Sequence, residues 1–586
     1  MASTLKLHTK AQKSPVKKKR NKSSLSPHEL EKRKFSRGIV GLFTRLSFRR
    51  IKTEGKEFTF LGRTGELDDI FVYENVVVVA EYTVGQPSTE HAAKKNLLWS
   101  RIVNNQQAWV SFLCDTFLQF ADAFNEGDFD ASEYRVRVCY FSKRTMSEEV
   151  VNCISDTRFL DLTTFRYFDA LVKTIQKSAR FEFFAFLGLA YTEIGDQIKD
   201  SSNETKAFRG FLLPANFSSF PPGFKVVSFY ADPNTLLSMS YVLRRDSWRD
   251  PEGMYQRVLM RGRMTEMRKY LTSQERVFVN NIIVTLPGPT MINDLHVSGK
   301  NLTEDETKLV RPVTVAVPRA SNVIGIVDGQ HRVYCYHEGV DVYEAKIKKL
   351  RTRQNLLVTG IIYPDSYGEV ERQRFEAKLF LEINDKQKKA KSDLKQSIEL
   401  ILSPCSNIAI AKRVIERLNA GGALKGMLQT NYFDPPTLIR TTSIVTYGLR
   451  PLVKVGSKDS LFEAWPDPNK HELLAKQQGG RAGANDDLLV DYVDFCVKSI
   501  NALLLAARKA LGSERWALAD KPKDRHLTPT LINGFLVCMR LLISQKSLYS
   551  QSVYEARLAG FGSSNYKKYK SSHWSALGAK IFGDYF

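Results

Sequence analysis

The stretch VIGIVDGQHRVYCYHEG, residues 323 to 339, decides how the middle of this chain is read. Val323 to Val327 form a mostly apolar run of strand length, which ends at the acidic-glycine pair Asp328-Gly329. A helix-like segment then leaves from about His331. Glycine at a strand-to-helix turn lets the backbone approach a ligand closely. Exposed N–H groups at the helix start, with His331 and Arg332 beside them, suit phosphate. An ordinary βα turn, in which the His and Arg only cap and solvate the helix, is the competing reading.

Three more segments follow the same order. Tyr255-Gln256-Arg257 opens the helical stretch YQRVLMRGRMTEMRKYL. NNIIVTLPG, Asn280 to Gly288, reads as a strand. FLEINDKQKKAKSDL, Phe380 to Leu394, reads as a closing element with Asn384 and Gln387 at polar positions. Together with Asp328 to Arg332 these resemble the DGQHR family of the ParB/sulfiredoxin-like superfamily, over about residues 224 to 394. Relatives include the DndB proteins linked to DNA phosphorothioation and the DpdB proteins linked to 7-deazaguanine insertion. The resemblance implies an ATP or other nucleoside triphosphate site at Asp328, Gly329, Gln330, His331 and Arg332, supported by Gln256, Arg257, Asn384 and Gln387. It also implies work in DNA modification or defence, with a base-modifying enzyme as a possible partner. The cysteine used by sulfiredoxins is replaced by Gln330, which argues against redox chemistry.

A second constellation is GELDDIFVYENVVVVAEYT, Gly65 to Thr83. It reads as two strands joined at Glu74-Asn75. Asp68 and Glu81, thirteen residues apart, would meet at one end of that hairpin and could hold Mg²⁺ through oxygen ligands. Strand alternation sends Asp68 and Asp69 to opposite faces, so only one can serve, and the i, i+2 relation to Glu66 favours Asp68. The pattern resembles the PD-(D/E)xK nuclease superfamily. The lysine of that family would fall at Thr83, whose hydroxyl cannot supply a cation. Lys94 or Lys95 on the following helix-like stretch is the candidate substitute. Three readings stay open: an active nuclease, a degenerate fold that only grips DNA, and a surface hairpin with solvated acids.

A length of 586 residues accommodates about three domains, and 43% apolar with 11% aromatic residues describes a globular chain. Seven scattered cysteines with no Cys-x-x-Cys pair argue against a disulfide framework and a structural zinc site. The expectation is a cytoplasmic, nucleoid-associated protein with no membrane segment. Net charge is +23, and residues 1 to 37 carry twelve Lys or Arg against two Glu. Lys17, Lys18, Lys19 and Arg20 sit in a tail expected to be disordered and to meet double-stranded DNA through its phosphates.

The resulting fold expectation is an α/β multidomain chain. Residues 38–211 form a restriction-endonuclease-like α/β domain, and LLPANFSSFPPG (212–223) is a linker. Residues 224–394 form a ParB/sulfiredoxin-like α+β domain, and 395–586 a helical domain. The functional expectation is a nucleotide-dependent DNA-binding protein of a modification or defence system. A transcriptional regulator of DndB type and an active metal-dependent DNA endonuclease are the alternatives.

Overall fold

The computed structural model describes residues 26–53, 55–144, 146–154, 157–198, 205–243, 258–297, 300–303, 305–385, 392–431, 433–479, 486–518, 527–563, 566, 569 and 571–586. Among these the chain is a mixed α/β, multidomain fold with two main sheets followed by a helical region.

The first helix, α1 (Pro27–Arg45), begins inside the segment expected to be a disordered tail. Its cause is local. Ser26 caps it, accepting from the Glu29 amide at 3.2 Å, while Glu29 Oε2 accepts from the Ser26 amide at 2.8 Å. This is a capping box with Pro27 preorganised at the first helical position. Phe35, Ile39, Leu42 and Phe43 then bury one face. The expected tail boundary at residue 37 is therefore corrected, since helix already occupies Pro27 onward. Lys17, Lys18, Lys19 and Arg20 lie outside the described residues.

Strands β1 (Arg49–Lys52), β2 (Glu57–Phe60), β3 (Arg63–Glu66), β4 (Asp69–Tyr73) and β5 (Val76–Thr83) follow. β2 and β3 form a separate hairpin, whereas β1, β4 and β5 are successive antiparallel neighbours. The β4–β5 turn is Glu74-Asn75, as expected. Asn75 fixes it, donating to the carbonyls of Glu133 and Glu193 at 2.8 Å and accepting from the Gly195 amide at 2.8 Å. Helices α2 (Thr89–Asn104), α3 (Gln106–Thr116) and α4 (Leu118–Glu126) lead to β6 (Arg135–Ser142), which lies parallel to β5. Extended backbone at Phe117 divides α3 from α4. A short helix, α5 (Glu148–Asn152), precedes β7 (Thr157–Leu160), which is parallel to β6. Helices α6 (Leu162–Ile175) and α7 (Arg180–Leu187) complete the unit.

The valine run of β5 is buried on both faces because layers cover each side. Val77 and Val79 pack with Trp99, Trp109 and Leu113 of α2 and α3. Val76, Val78 and Ala80 pack with Phe43 of α1 and Phe168 of α6.

The second sheet contains β8 (Thr205–Leu213), β9 (Lys225–Ala231), β10 (Ser240–Tyr241), β11 (Ile282–Leu286), β12 (Met291–Asp294), β13 (Arg311–Pro318), β14 (Ile324–Asp328) and β15 (Leu356–Ile362). Their order is β10-β14-β11-β15-β9-β8-β13-β12. Between β8 and β9 runs a four-residue helix, α8 (Ala215–Ser218). These two strands are antiparallel neighbours, so residues 212–223 make a connection within one sheet and not an interdomain linker. β8, from Thr205, is a strand of this second sheet. Pro, Ser and Gly mark both kinds of loop, and composition alone does not separate them.

Helices α9 (Pro233–Met239), α10 (Arg261–Gln274), α11 (Gln330–Tyr334), α12 (Glu344–Arg353) and α13 (Glu369–Asp385) accompany this sheet. Arg268 of α10 ties several of them together, and its side chain is 1% exposed. The guanidinium donates to the carbonyls of Cys335 and His337, to both carboxylate oxygens of Asp341, and to Glu344, at 2.7–3.0 Å. Removing it would take a donor from each of these groups, leaving Glu344 and the His337 carbonyl to Arg351 and Asp341 to the Tyr343 amide. Arg268→Ala is expected to cost about 3 kcal/mol or more, measured as a lower midpoint in chemical denaturation.

From α14 (Ser392–Leu402) and α15 (Asn407–Ala420) onward the described elements are almost wholly helical. Three longer helices, α16 (Asp487–Arg515), α17 (Pro529–Ser544) and α18 (Trp574–Tyr585), supply much of a separate apolar core. No described helix is long and apolar enough to cross a membrane.

Candidate active site

The β4–β5 hairpin brings the first pair of candidate residues together. Asp69 pairs with Ala80, so Asp68 and Glu81 face each other one step further along, at the open end of the hairpin. Asp68 Oδ2 accepts from the Tyr82 amide at 3.0 Å. The neighbouring Asp68 carboxyl adds to the burial that raises Glu81.

Lys95 completes the arrangement. It projects from the second turn of α2, which Ser88 caps. Its Nζ lies 2.9 Å from Glu81 Oε1, 3.1 Å from Oε2, and 2.9 Å from the carbonyl of Glu66. Lys94, one residue earlier, is turned away and exposed. Helical geometry rotates adjacent side chains by about 100°, so only one of this pair can reach the hairpin. The expectation that left Lys94 and Lys95 equivalent is corrected to Lys95. The Glu66 carboxylate is not part of the site; it accepts from the Gly55 amide at 2.6 Å.

Asp69, the competing acid, is wholly buried and structurally engaged. Arg50 holds both its oxygens at 2.6 and 2.8 Å, and the Tyr82 hydroxyl donates to it at 2.8 Å. Alternation along β4 thus assigns one acid to the fold and leaves the other at the hairpin mouth. Lys32 of α1, expected to belong to the tail, lies 3.9 Å from Asp68 Oδ1. The Ser-Pro-His-Glu capping pattern was the available signal for it.

Burial governs the electrostatics. Glu81 is 4% exposed, and loss of solvent pushes its carboxyl up to about 8, against the opposing pull of Lys95. The Asp68 carboxyl is also raised, mainly by burial. Two acids facing each other across the hairpin supply oxygen ligands of the kind a hard divalent cation takes. Mg²⁺ commonly uses one or two carboxylates and completes its shell with water and phosphate oxygens. No cluster of three or more His, Cys, Asp or Glu able to hold a metal occurs among the described residues.

The strand-to-helix turn at 328–330 has the expected shape. β14 ends at Asp328, Gly329 has φ of 101°, and α11 starts at Gln330. A Cβ on Gly329 would meet Ile282 Cδ1 at 2.7 Å, so packing as well as backbone conformation calls for glycine. Arg332, expected to meet phosphate, donates instead to Asp328 Oδ2 at 2.8 Å and to the Asn281 carbonyl at 2.9 Å. Gln330 is buried and His331 partly so. Gln256, Arg257 and Gln387 lie outside the described residues, as does the side chain of Asn384. The chain matches no protein-family model, no curated protein and no solved structure.

Proposed function

We propose that the first unit is a metal-dependent phosphodiesterase acting on DNA, with Asp68 and Glu81 as the carboxylates that hold Mg²⁺ or Mn²⁺. The observation that carries this reading is the position of Lys95. It places an ammonium 2.9 Å from Glu81, where the hairpin itself offers only Thr83. When bound, the metal would polarise a phosphoryl oxygen and lower the pKa of a bound water.

The chain's own residues supply the rest. Lys95, held by the Glu66 carbonyl, orients the attacking water and balances charge that develops on the phosphate. Asp68 is fixed by the Tyr82 amide, so its carboxylate is in place before substrate arrives. The +23 net charge of the chain favours a polyanionic substrate. This reading takes up the endonuclease alternative; Arg332, the candidate phosphate ligand of the nucleotide-dependent reading, is paired with Asp328.

Supercoiled plasmid incubated with the full chain and Mg²⁺ or Mn²⁺ is expected to be nicked or linearised, and Glu81→Gln is expected to lose that activity. Intact plasmid with wild type under both metals would overturn the reading.

A further inference from the structure

The outer surface of α10 and α12 has an uneven division of charge. Residues 261–276 and 344–353 carry eight exposed Lys or Arg against two exposed acids, Glu266 and Glu275. The remaining acid of α12, Glu344, is turned inward. It accepts from Arg268 at 2.9 Å and from Arg351 at 2.8 Å, and both of these arginines are buried. Asp341 is likewise held by Arg268. The interior arginines thus use the acids that would otherwise neutralise the lysines outside.

Lys346, Lys349 and Arg353 recur at helical spacing on one stripe of α12, and Lys348 is exposed beside it. The stripe surrounds a single acid at the end of α10: Lys346 Nζ lies 3.0 Å from Glu275 Oε1, and Lys349 and Arg353 act on the same carboxylate. Arg276 lies next along the chain, stacked over the ring of Tyr270. Because Arg268 ties α10 to the start of α12 through Asp341 and Glu344, the two helices present these cations on a fixed support. Lys346 to Arg353 spans about 10 Å, the length of roughly three base-pair steps of duplex DNA.

We propose that this α10–α12 face is a docking surface for the phosphate backbone of duplex DNA, read without regard to sequence. Charge complementarity on a rigid, acid-depleted stripe carries the assignment. It does not rest on the phosphodiesterase reading, since it concerns the other sheet and is tested without metal.

The test uses the full chain, a fluorescent duplex oligonucleotide, EDTA, and anisotropy measured over a range of salt. Replacing Lys346, Lys348, Lys349 and Arg353 together by Gln should weaken binding tenfold or more at about 0.1 M salt. The slope of log affinity against log salt should become shallower by about 2 to 4, near 0.9 for each phosphate that is no longer neutralised. Glu275→Gln should do the opposite, tightening binding, an effect that loss of folded protein cannot imitate. Unchanged affinity and slope in the fourfold variant would overturn the proposal, as would weaker binding with an unaltered slope. If the fourfold variant fails to fold, Glu275→Gln decides alone, and unchanged affinity there overturns the proposal.

Discussion

Lys95→Ala is expected to lower metal-dependent DNA cleavage by about a hundred- to a thousandfold, the usual loss when one preorganised charge-stabilising group is removed. Lys94→Ala, with its side chain in solvent, should cleave as wild type does. The discriminating variant adds a lysine where the hairpin lacks one. Thr83 lies two residues beyond Glu81 on β5 and therefore on the same side of the strand. In the Lys95→Ala background, Thr83→Lys should recover a substantial part of the rate, because the site needs a cation near the acids and not a particular helix to deliver it. Single-turnover rates on a supercoiled plasmid measure all three. Equal loss from Lys94→Ala and Lys95→Ala would mean that overall charge and not position matters, and the catalytic role of Lys95 would fall.

The same site shows what the chain's local patterns can and cannot convey. The hairpin was legible because its signals are local: a valine run, a polar two-residue turn, and acids at matching ends. Alternation also separated Asp68 from Asp69 correctly, and the structure shows why, since Arg50 and the Tyr82 hydroxyl use Asp69 to close the inner face. The choice between Lys94 and Lys95 was not legible, because it depends on the angle at which α2 crosses the sheet. Lys32 was missed for another reason: abundant Lys and Arg around it suggested a disordered tail and outweighed the capping box at Ser26 and Glu29. In the second sheet, β14 and β11 were recognisable as strands. Their adjacency, and the pairing of β8 with β13 across about a hundred residues, come from tertiary packing that no short window contains. Arg332 was singled out for phosphate, and in the structure its guanidinium pairs with Asp328 of the same turn. A guanidinium four residues after an aspartate can close the turn on itself, and here it does.

Glu81 should make both stability and metal binding depend on pH, and in opposite directions. Its carboxyl is raised to about 8 in the folded chain by burial, from 4.5. A carboxyl raised in this way contributes stability that is complete below its unfolded value and is lost as pH climbs through the folded one. The metal-free protein should therefore lose up to about 4 kcal/mol between pH 5 and 9 from this group, and Glu81→Gln should remove most of that slope. At pH 9 the variant should melt above the wild type, although it cannot cleave. Binding of Mg²⁺ requires the ionised form, so metal affinity should rise with pH up to about 8 and then level off, and near pH 7 each ion bound should release about one proton. Calorimetry in buffers of different ionisation enthalpy reads that proton directly. Metal binding without proton release, or a Glu81→Gln variant that keeps the wild-type pH slope, would show that Glu81 is already ionised in the resting site, and Lys95 would then act as its permanent counterion and not as a group free to meet the phosphate.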